Sequence, residues 1–339
     1  MSGNFRTGLT ALAFGITFGV VGAHAQDATD LTKAKAEGKV VWYTSTPIDQ
    51  ANQITQAFEK QTGIKVELFR SGGSAILRRF MQEQSAKQIA ADVLTTSDPA
   101  ASNSLAEQGI FVPFKPKNFD KVPGEAKHPN GSWVGQRLNV ITVYLRSDMI
   151  AEADRPKTWT DLTDVKYKGK MVMTDPSFTS LQLSVVATNA KNLGWEYYEK
   201  LNQNDVMVVQ GNQQVSDNIK RGERPIAVGA LDSYAAQDRM EGHNITTIYP
   251  ADGTYVIPSP TAVVKGSPNP EAAKVFADFM LSDEAQNIFP KDGGYAARTD
   301  IAPPKDSPKV SELKILPVDY GAIEKSSAET KERFNSIFR

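Results

Sequence analysis

Four short segments of this chain gather hydroxyls and glycines just before a helix-like run: Thr44-Ser45-Thr46-Pro47, Ser71-Gly72-Gly73-Ser74, Ser97-Asp98 and Thr179-Ser180. Hydroxyls and backbone N–H groups at a helix start donate hydrogen bonds, and the helix dipole adds partial positive charge, so the chemistry on offer is anion binding. A single glycine pair makes a tight turn as readily as an anion cradle. Recurrence at four strand-to-helix switches is what favours a ligand. Arg70 and Arg78 flank the second segment, where an arginine is more commonly a solvated surface group. Arg137 differs, because it opens the mostly apolar run RLNVITVYL, where a cation needs a partner.

The expected site therefore uses hydroxyls of Thr44, Ser45, Thr46, Ser71, Ser97, Thr179 and Ser180 and the N–H groups of Gly72 and Gly73, with Arg137 neutralising the anion. Asp98, Asp232 and Tyr234 would read the rest of the ligand, and two carboxylates suit an amine or hydroxyls there. Catalysis has little to work with. The chain has no cysteine, no GxSxG elbow and no GxxxxGK[ST] loop. Beyond the N-terminal leader its histidines are His128 and His243, both in loop-like surroundings and read as surface residues, too few for a zinc site. Acids are plentiful, but no spacing selects a catalytic pair. A secreted hydrolase with an acid pair is the reading from another class. No metal or cofactor is expected.

These residues need a scaffold, and the patterning supplies one. Val40 to Tyr43 reads as a strand, and Pro47 suits a helix start, where its missing N–H costs nothing. Ala51, Ile54, Ala57 and Phe58 form one buried helix face, and Gly63 closes that helix. Ile64 to Phe69 alternates as a strand, Ser74 to about Lys87 is helical, and Ala91 to Thr95 is a third strand before another helix. This βαβαβ order predicts a parallel sheet wrapped by helices, which binds ligands outside the carboxyl ends of its strands.

A second α/β unit follows: strands at Lys170 to Met173, Val206 to Val209 and Pro225 to Leu231, with helices to Lys191 and from Gln213 to Arg221. Arg137 to Leu145 and Thr254 to Lys265 are the longest strand-like runs and the candidates for hinge crossings. A helix at Pro270 to Leu281 and a tail mixing a short Leu/Ile/Val strand with a charged helix complete the chain. Trp42, Tyr43, Trp133, Trp159 and Trp195 are expected in the packing. The predicted fold is α/β with two lobes, 38–138 plus 261–302 and 139–260 plus 303–339, facing each other across a cleft.

The first 25 residues carry one charge, Arg6, an uncharged run from Thr7 to Gly22 and the tripeptide Ala23-His24-Ala25, the pattern of a secretory signal cleaved near Ala25. An uncleaved anchor is disfavoured because Gly8, Gly15, Gly19 and Gly22 dilute the run. Removing the leader deletes Arg6 and no acid, leaving 37 basic against 39 acidic residues, without the basic excess of a nucleic-acid binder. Without cysteine there are no disulfides and no lipid-attachment site. Burial alone must stabilise the exported chain.

The segments VVWYTSTP, FEKQTGIKVELFRSGGSAIL, ADVLTTSD, YKGKMVMTDPSFTS, IKRGERPIAVGALDSYA and SPTAVVKGSPNPEAAKVFADFMLSDEAQNIF, in that order, cover most of the chain beyond its leader. The ordered set resembles the periplasmic solute-binding proteins of ABC importers, in the group that includes ferric-iron-binding, 2-aminoethylphosphonate-binding and hexose-phosphate-binding proteins. The resemblance implies two lobes, two hinge strands, a periplasmic monomer that traps its ligand by closure, and docking on an inner-membrane ABC permease. Iron-binding members carry adjacent tyrosines in the loop matching Asp232 to Ala236 and usually a histidine in the first turn. Here that loop reads Asp232-Ser233-Tyr234-Ala235-Ala236, and Thr44-Ser45-Thr46-Pro47 has no histidine. The departure favours a phosphonate, sugar phosphate or carboxylate. Ferric iron with an accompanying anion is the alternative.

Overall fold

The computed structural model describes residues 1, 3 and 29–339. The leader and its cleavage point near Ala25 lie outside the described residues. The first half runs α1 (Leu31–Glu37), β1 (Lys39–Thr44), α2 (Ile48–Thr62), β2 (Lys65–Arg70), α3 (Gly73–Ser85), β3 (Val93–Thr95), α4 (Pro99–Glu107), β4 (Phe111–Val112) and β5 (Val134–Arg146). There follow β6 (Met171–Thr174), α5 (Ser180–Leu193), α6 (Trp195–Gln203), β7 (Met207–Val209), α7 (Asn212–Arg221), β8 (Ile226–Leu231) and α8 (Asp232–Met240). The remainder is β9 (Ile245–Ile248), β10 (Tyr255–Val264), α9 (Pro270–Phe279), α10 (Asp283–Gln286), α11 (Ile288–Lys291), β11 (Tyr295–Ala296) and α12 (Tyr320–Phe338).

The strands join in the order β2-β1-β3-β10-β5-β8-β6-β7, with β4 beside β10 and β9 and β11 beside β5. β1 pairs in parallel with β2 and β3, and β6 pairs in parallel with β7 and β8. These parallel sets are the βαβ units read from the alternating patterns.

β5 and β10 connect them. Thr261 to Val263 of β10 lies against β3, while Tyr255 to Pro258 lies against β5. β5 in turn pairs through Ile141 to Leu145 with β8. The register of β10 against β5 shifts between Pro258 and Pro260, where prolines have no N–H to give a ladder, so the crossing strand bends where the two parallel sets meet. β5 is buried on both faces over nearly its whole length, as a central strand should be.

Each set has its own core. Trp42, Phe58, Phe276 and Phe289 anchor one, with the Phe58 and Phe276 rings edge-to-face at 4.9 Å. Trp159, Tyr198, Tyr255 and Phe334 anchor the other. Trp133 is buried and Trp195 packs partly buried on the second core.

Two expectations need correction. The Leu/Ile/Val tail forms no strand, only a single bridge between Thr254 and Ile315, and Pro317, which has no N–H to give a ladder, stands within it. Asp232-Ser233-Tyr234 is not a loop but the first turn of α8. Leu31–Glu37 is a short helix that the sequence patterning had not flagged, capped by Asp30 and closed by Gly38 in the left-handed region. Among the described residues no helix is long and apolar enough to cross a membrane.

Candidate functional site

The β1–α2, β2–α3 and β3–α4 turns of one parallel set face the β6–α5 and β7–α7 turns and the start of α8 of the other, around a cavity of about 550 Å³. Ligands in open α/β sheets sit at such strand ends. Of the expected residues, Ser45, Gly72, Gly73 and Ser97 line it from one side, Thr179, Ser180 and Tyr234 from the other, and Arg137 from the crossing strand β5. The two sides meet where Ser180 Oγ donates to the Ser97 carbonyl at 3.4 Å, and within the first side Ser45 Oγ lies 3.4 Å from Ser97 Oγ. A Cβ on Gly73 would come within 3.1 Å of Ser180 Oγ, so the glycine lets the α3 and α5 N-termini approach.

Arg137 is 6% exposed. Its Nη1 donates to Asn139 Oδ1 at 2.7 Å and its Nη2 to Ser97 Oγ at 3.4 Å, while its buried Nε has no partner. Asn139 is itself fixed, donating to the Ile257 carbonyl and to Ser259 Oγ on β10. Among the described residues no ion pair neutralises Arg137. Burial pushes its guanidinium down to about 10, opposed by Tyr234 and reinforced by the neighbouring charge of Arg70. It therefore stays cationic at neutral pH, a buried charge with neutral partners only, which is costly unless something else supplies the counter-charge.

Arg70 and Arg78 also line the cavity, and both stay exposed to solvent there as expected. Arg70 is held there by its Nε, which donates to the Thr46 carbonyl at 3.1 Å. Among the described residues three arginines thus line the cavity, and no carboxylate does. Tyr234 stands among them, its phenol pushed up by burial and pulled down less strongly by Arg137 and Arg70, so it is a neutral donor at neutral pH.

Five expected residues lie elsewhere. Thr44 and Thr46 are buried and bond one another, Thr46 also accepting from Gln136, so their hydroxyls are spent in bracing the first turn. Ser71 continues the strand pairing through its N–H to the Thr44 carbonyl and does not line the cavity. Asp98 caps α4, accepting from Ala101 N at 3.0 Å, and burial raises its carboxyl while Lys331 of α12 lowers it. Asp232 is fully buried and accepts from Tyr249 Oη at 2.7 Å and Thr247 Oγ1 at 3.2 Å, which turns it away from the cavity and anchors the start of α8. The two carboxylates expected to read an amine are thus both committed to structure. His128 and His243 line nothing here.

The β7–α7 turn was missed. Gln210, Gly211, Asn212, Gln213 and Gln214 line the cavity, and α7 starts at Gly211 without a side-chain cap, as α3 starts at Gly72 without one. Two helix N-termini, one from each side, thus keep uncapped donors at the cavity. α5 is capped by its own Thr179, whose Oγ1 accepts from Gln182 N at 3.2 Å. This turn carries amides rather than the hydroxyls that mark the other turns; its signal in the sequence is a glycine before a helix with no Ser, Thr or Asp to cap it.

Residues 88–325 match the model of the bacterial extracellular solute-binding protein family. The chain belongs to that family. This solute-binding protein is 28% identical over 72% of its length to 71% of iron uptake protein A1 of Synechocystis sp.. In structure it matches iron-bound HitA from Pseudomonas aeruginosa, with a TM-score of 0.77 and 23% identity over 88% of this chain and 99% of the other. It matches AfuA from Actinobacillus pleuropneumoniae, solved with exogenous fructose-6-phosphate, equally well: TM-score 0.77 and 22% identity over 88% and 97% of the two chains. The solute-binding protein thus has the two-lobed periplasmic-binding-protein fold and is of the ABC-importer type.

Proposed function

We propose that this protein is the periplasmic receptor of an ABC importer for a small, multiply charged oxyanion of an organic solute: a phosphate ester, phosphonate or polycarboxylate. The single observation that carries the reading is Arg137, buried and, among the described residues, without an acidic partner, beside Arg70 and Arg78 in a cavity that no described carboxylate lines. A dianion offers the counter-charge and several acceptors, and the uncapped α3 and α7 N-termini with Ser45 and Ser97 offer donors to match. With Asp98 and Asp232 committed elsewhere, nothing anionic remains for an ammonium, so the rest of the ligand is read by neutral groups.

The lobes in this reading are 38–138 plus 261–302 and 139–260 plus 303–339, supported by the two separate cores and by β5 and β10 passing between them. The protein closes as a monomer and presents the closed form to the permease. Its ligand exchange involves no bond making or breaking.

Tyr234 at the cavity favours one second reading, ferric iron carried with an anion. A hard cation needs anionic oxygens, and three arginines around one neutral phenol oppose it. Among the described residues there is no group of three or more His, Cys, Asp or Glu that could hold a metal ion. A thermal-shift panel separates the two. A bound ligand at about 100 times its Kd adds about 2.7 kcal/mol to stability, so phosphate esters, phosphonates or polycarboxylates should raise the melting temperature. A shift with ferric citrate alone, with a coloured complex, overturns the organic-anion reading.

A further inference from the structure

The cavity has a second, apolar character that the anion does not use. Phe178 is 44% exposed, and among the described large apolar residues that stay exposed it alone is aromatic and it alone lines the cavity. Leu181 and Leu231 add buried apolar wall near it, with Pro47 and Ala75 on the opposite side.

An exposed aromatic on a floppy loop would carry no argument, but this turn is braced at every step. Asp175 N–H donates to the Val209 carbonyl at 2.8 Å, Asp175 Oδ1 accepts from Ser177 N at 2.7 Å, and Phe178 N–H donates to the Asp175 carbonyl at 3.1 Å. The other Asp175 oxygen is held by Arg339, at the end of α12. The ring is therefore presented from a fixed backbone, immediately before the α5 N-terminus that borders the anion pole. The cavity also exceeds what a small inorganic anion fills: at ~30 Å³ per water it has room for about 18 waters. It thus holds space for a body attached to the anion, and Phe178 is the apolar surface that body would meet.

We propose that Phe178 is a specificity-determining residue that selects anions carrying a ring with an apolar face, whether an aromatic ring or the CH face of a sugar, over acyclic anions. This rests on the organic-anion reading above. Such a face covers an aromatic ring that otherwise stays hydrated, and stacked contacts of this kind are worth about tenfold in affinity.

Isothermal titration with phenyl phosphate, glucose 6-phosphate and glycerol 3-phosphate, against the wild type, Phe178→Ala and Arg137→Met, tests it. Phenyl phosphate and glucose 6-phosphate separate the aromatic from the sugar source. At least one ring-bearing phosphate should bind the wild type about tenfold tighter than glycerol 3-phosphate, and Phe178→Ala should bring that ratio close to one. Arg137→Met should weaken every phosphate. If Arg137→Met weakens binding but Phe178→Ala preserves the ratio, or no ratio exists in the wild type, the ring preference is overturned and the anion site stands. If no phosphate binds, the ring preference among phosphates is overturned and the organic-anion reading is decided by phosphonates and polycarboxylates in the thermal-shift panel; if phosphates bind and Arg137→Met changes nothing, both fall. Phe178 is partly exposed on a turn fixed by backbone bonds, so the alanine variant should fold, and an unchanged melting curve without ligand checks this.

Discussion

At the level of single residues, the cavity is defined by a charge that the fold itself does not neutralise. A buried guanidinium with only neutral partners destabilises the empty protein, since desolvation outweighs its bonds to Asn139 and Ser97. Replacing it by methionine removes that burden and leaves the Asn139 acceptor unpaired, a cost of about 1–3 kcal/mol that the relieved desolvation offsets. The ligand-free Arg137→Met protein should therefore melt no lower than the wild type in differential scanning calorimetry. A drop of several degrees would mean that Arg137 is structural. Arg137 was legible in the sequence because a cation in an apolar strand is conspicuous. Arg70 and Arg78 were not, because nothing in a local pattern tells whether an arginine beside a turn points into a cleft formed by residues a hundred positions away. Asp98 and Asp232 misled for a related reason: a carboxylate in a turn reads as exposed, yet one became a cap and the other a buried acceptor for Tyr249.

At the level of elements, helix starts divide into those that cap themselves and those that leave donors open. Thr179 spends its hydroxyl on Gln182 N, so Thr179→Ala should cost about 1 kcal/mol of stability. Ser180 caps nothing and reaches across to Ser97, so Ser180→Ala should leave the unfolding free energy nearly unchanged while altering ligand affinity. Parallel urea titrations of the two variants check the contrast; equal losses of stability would remove the distinction between cap and cleft residue. Gly73 tests the approach of α3 to α5. A valine there places its branches against Ser180, and the expected result is weaker ligand binding by titration calorimetry with a normal ligand-free melting curve. The strands and helices themselves were readable because hydrophobic period, glycine caps and polar turns agree along both parallel sets. What the pattern hid was the boundary between β8 and α8, where Leu231 runs into Asp232 with no turn residue between them, and the β7–α7 turn, whose amides carry no local mark of function.

At the level of the whole molecule, two cores joined by β5 and β10 put the binding cavity where the halves face each other, and further contacts tie the halves outside it. Gln237 of α8 donates to the Asp292 carboxylate and carbonyl, both at 3.1 Å, while Gln50 of α2 donates to the same carboxylate at 2.7 Å. Gly293 beside it takes a positive φ of 78°, and a Cβ there would lie 2.8 Å from Ala236, so the two halves touch through a glycine. On another face α12 carries Ile323 against Ala100 of α4 and Leu183 of α5, again spanning both halves.

The pH response follows from the buried acids. Burial raises the carboxyls of Asp98, Asp232, Asp238 and Asp292 above the ordinary value, so the native state binds protons more readily than the unfolded chain, and their contribution is present at low pH and lost as pH rises through the folded values. Asp148, held at about 2 by Arg146, and Asp300, held down by Arg298, act oppositely, but their contribution is lost only as pH falls below the ordinary carboxylate range. Melting temperature should thus hold or rise from about pH 7 to about pH 5. A steady fall over that range would contradict the burial assigned to these four aspartates.

The two-lobed plan was legible from the order of strand and helix patterns and from the two long crossing strands. Which side chains share the cavity was not, because it depends on how the halves face one another.

The most direct test of the account is the affinity of the anion that stabilises the protein best, measured by isothermal titration calorimetry against the wild type and Arg137→Met at neutral pH. Loss of a buried charge-assisted contact is worth roughly 2–5 kcal/mol, so the variant should bind at least about 30-fold more weakly. Equal affinity in the two proteins would contradict the claim that Arg137 awaits the ligand's charge.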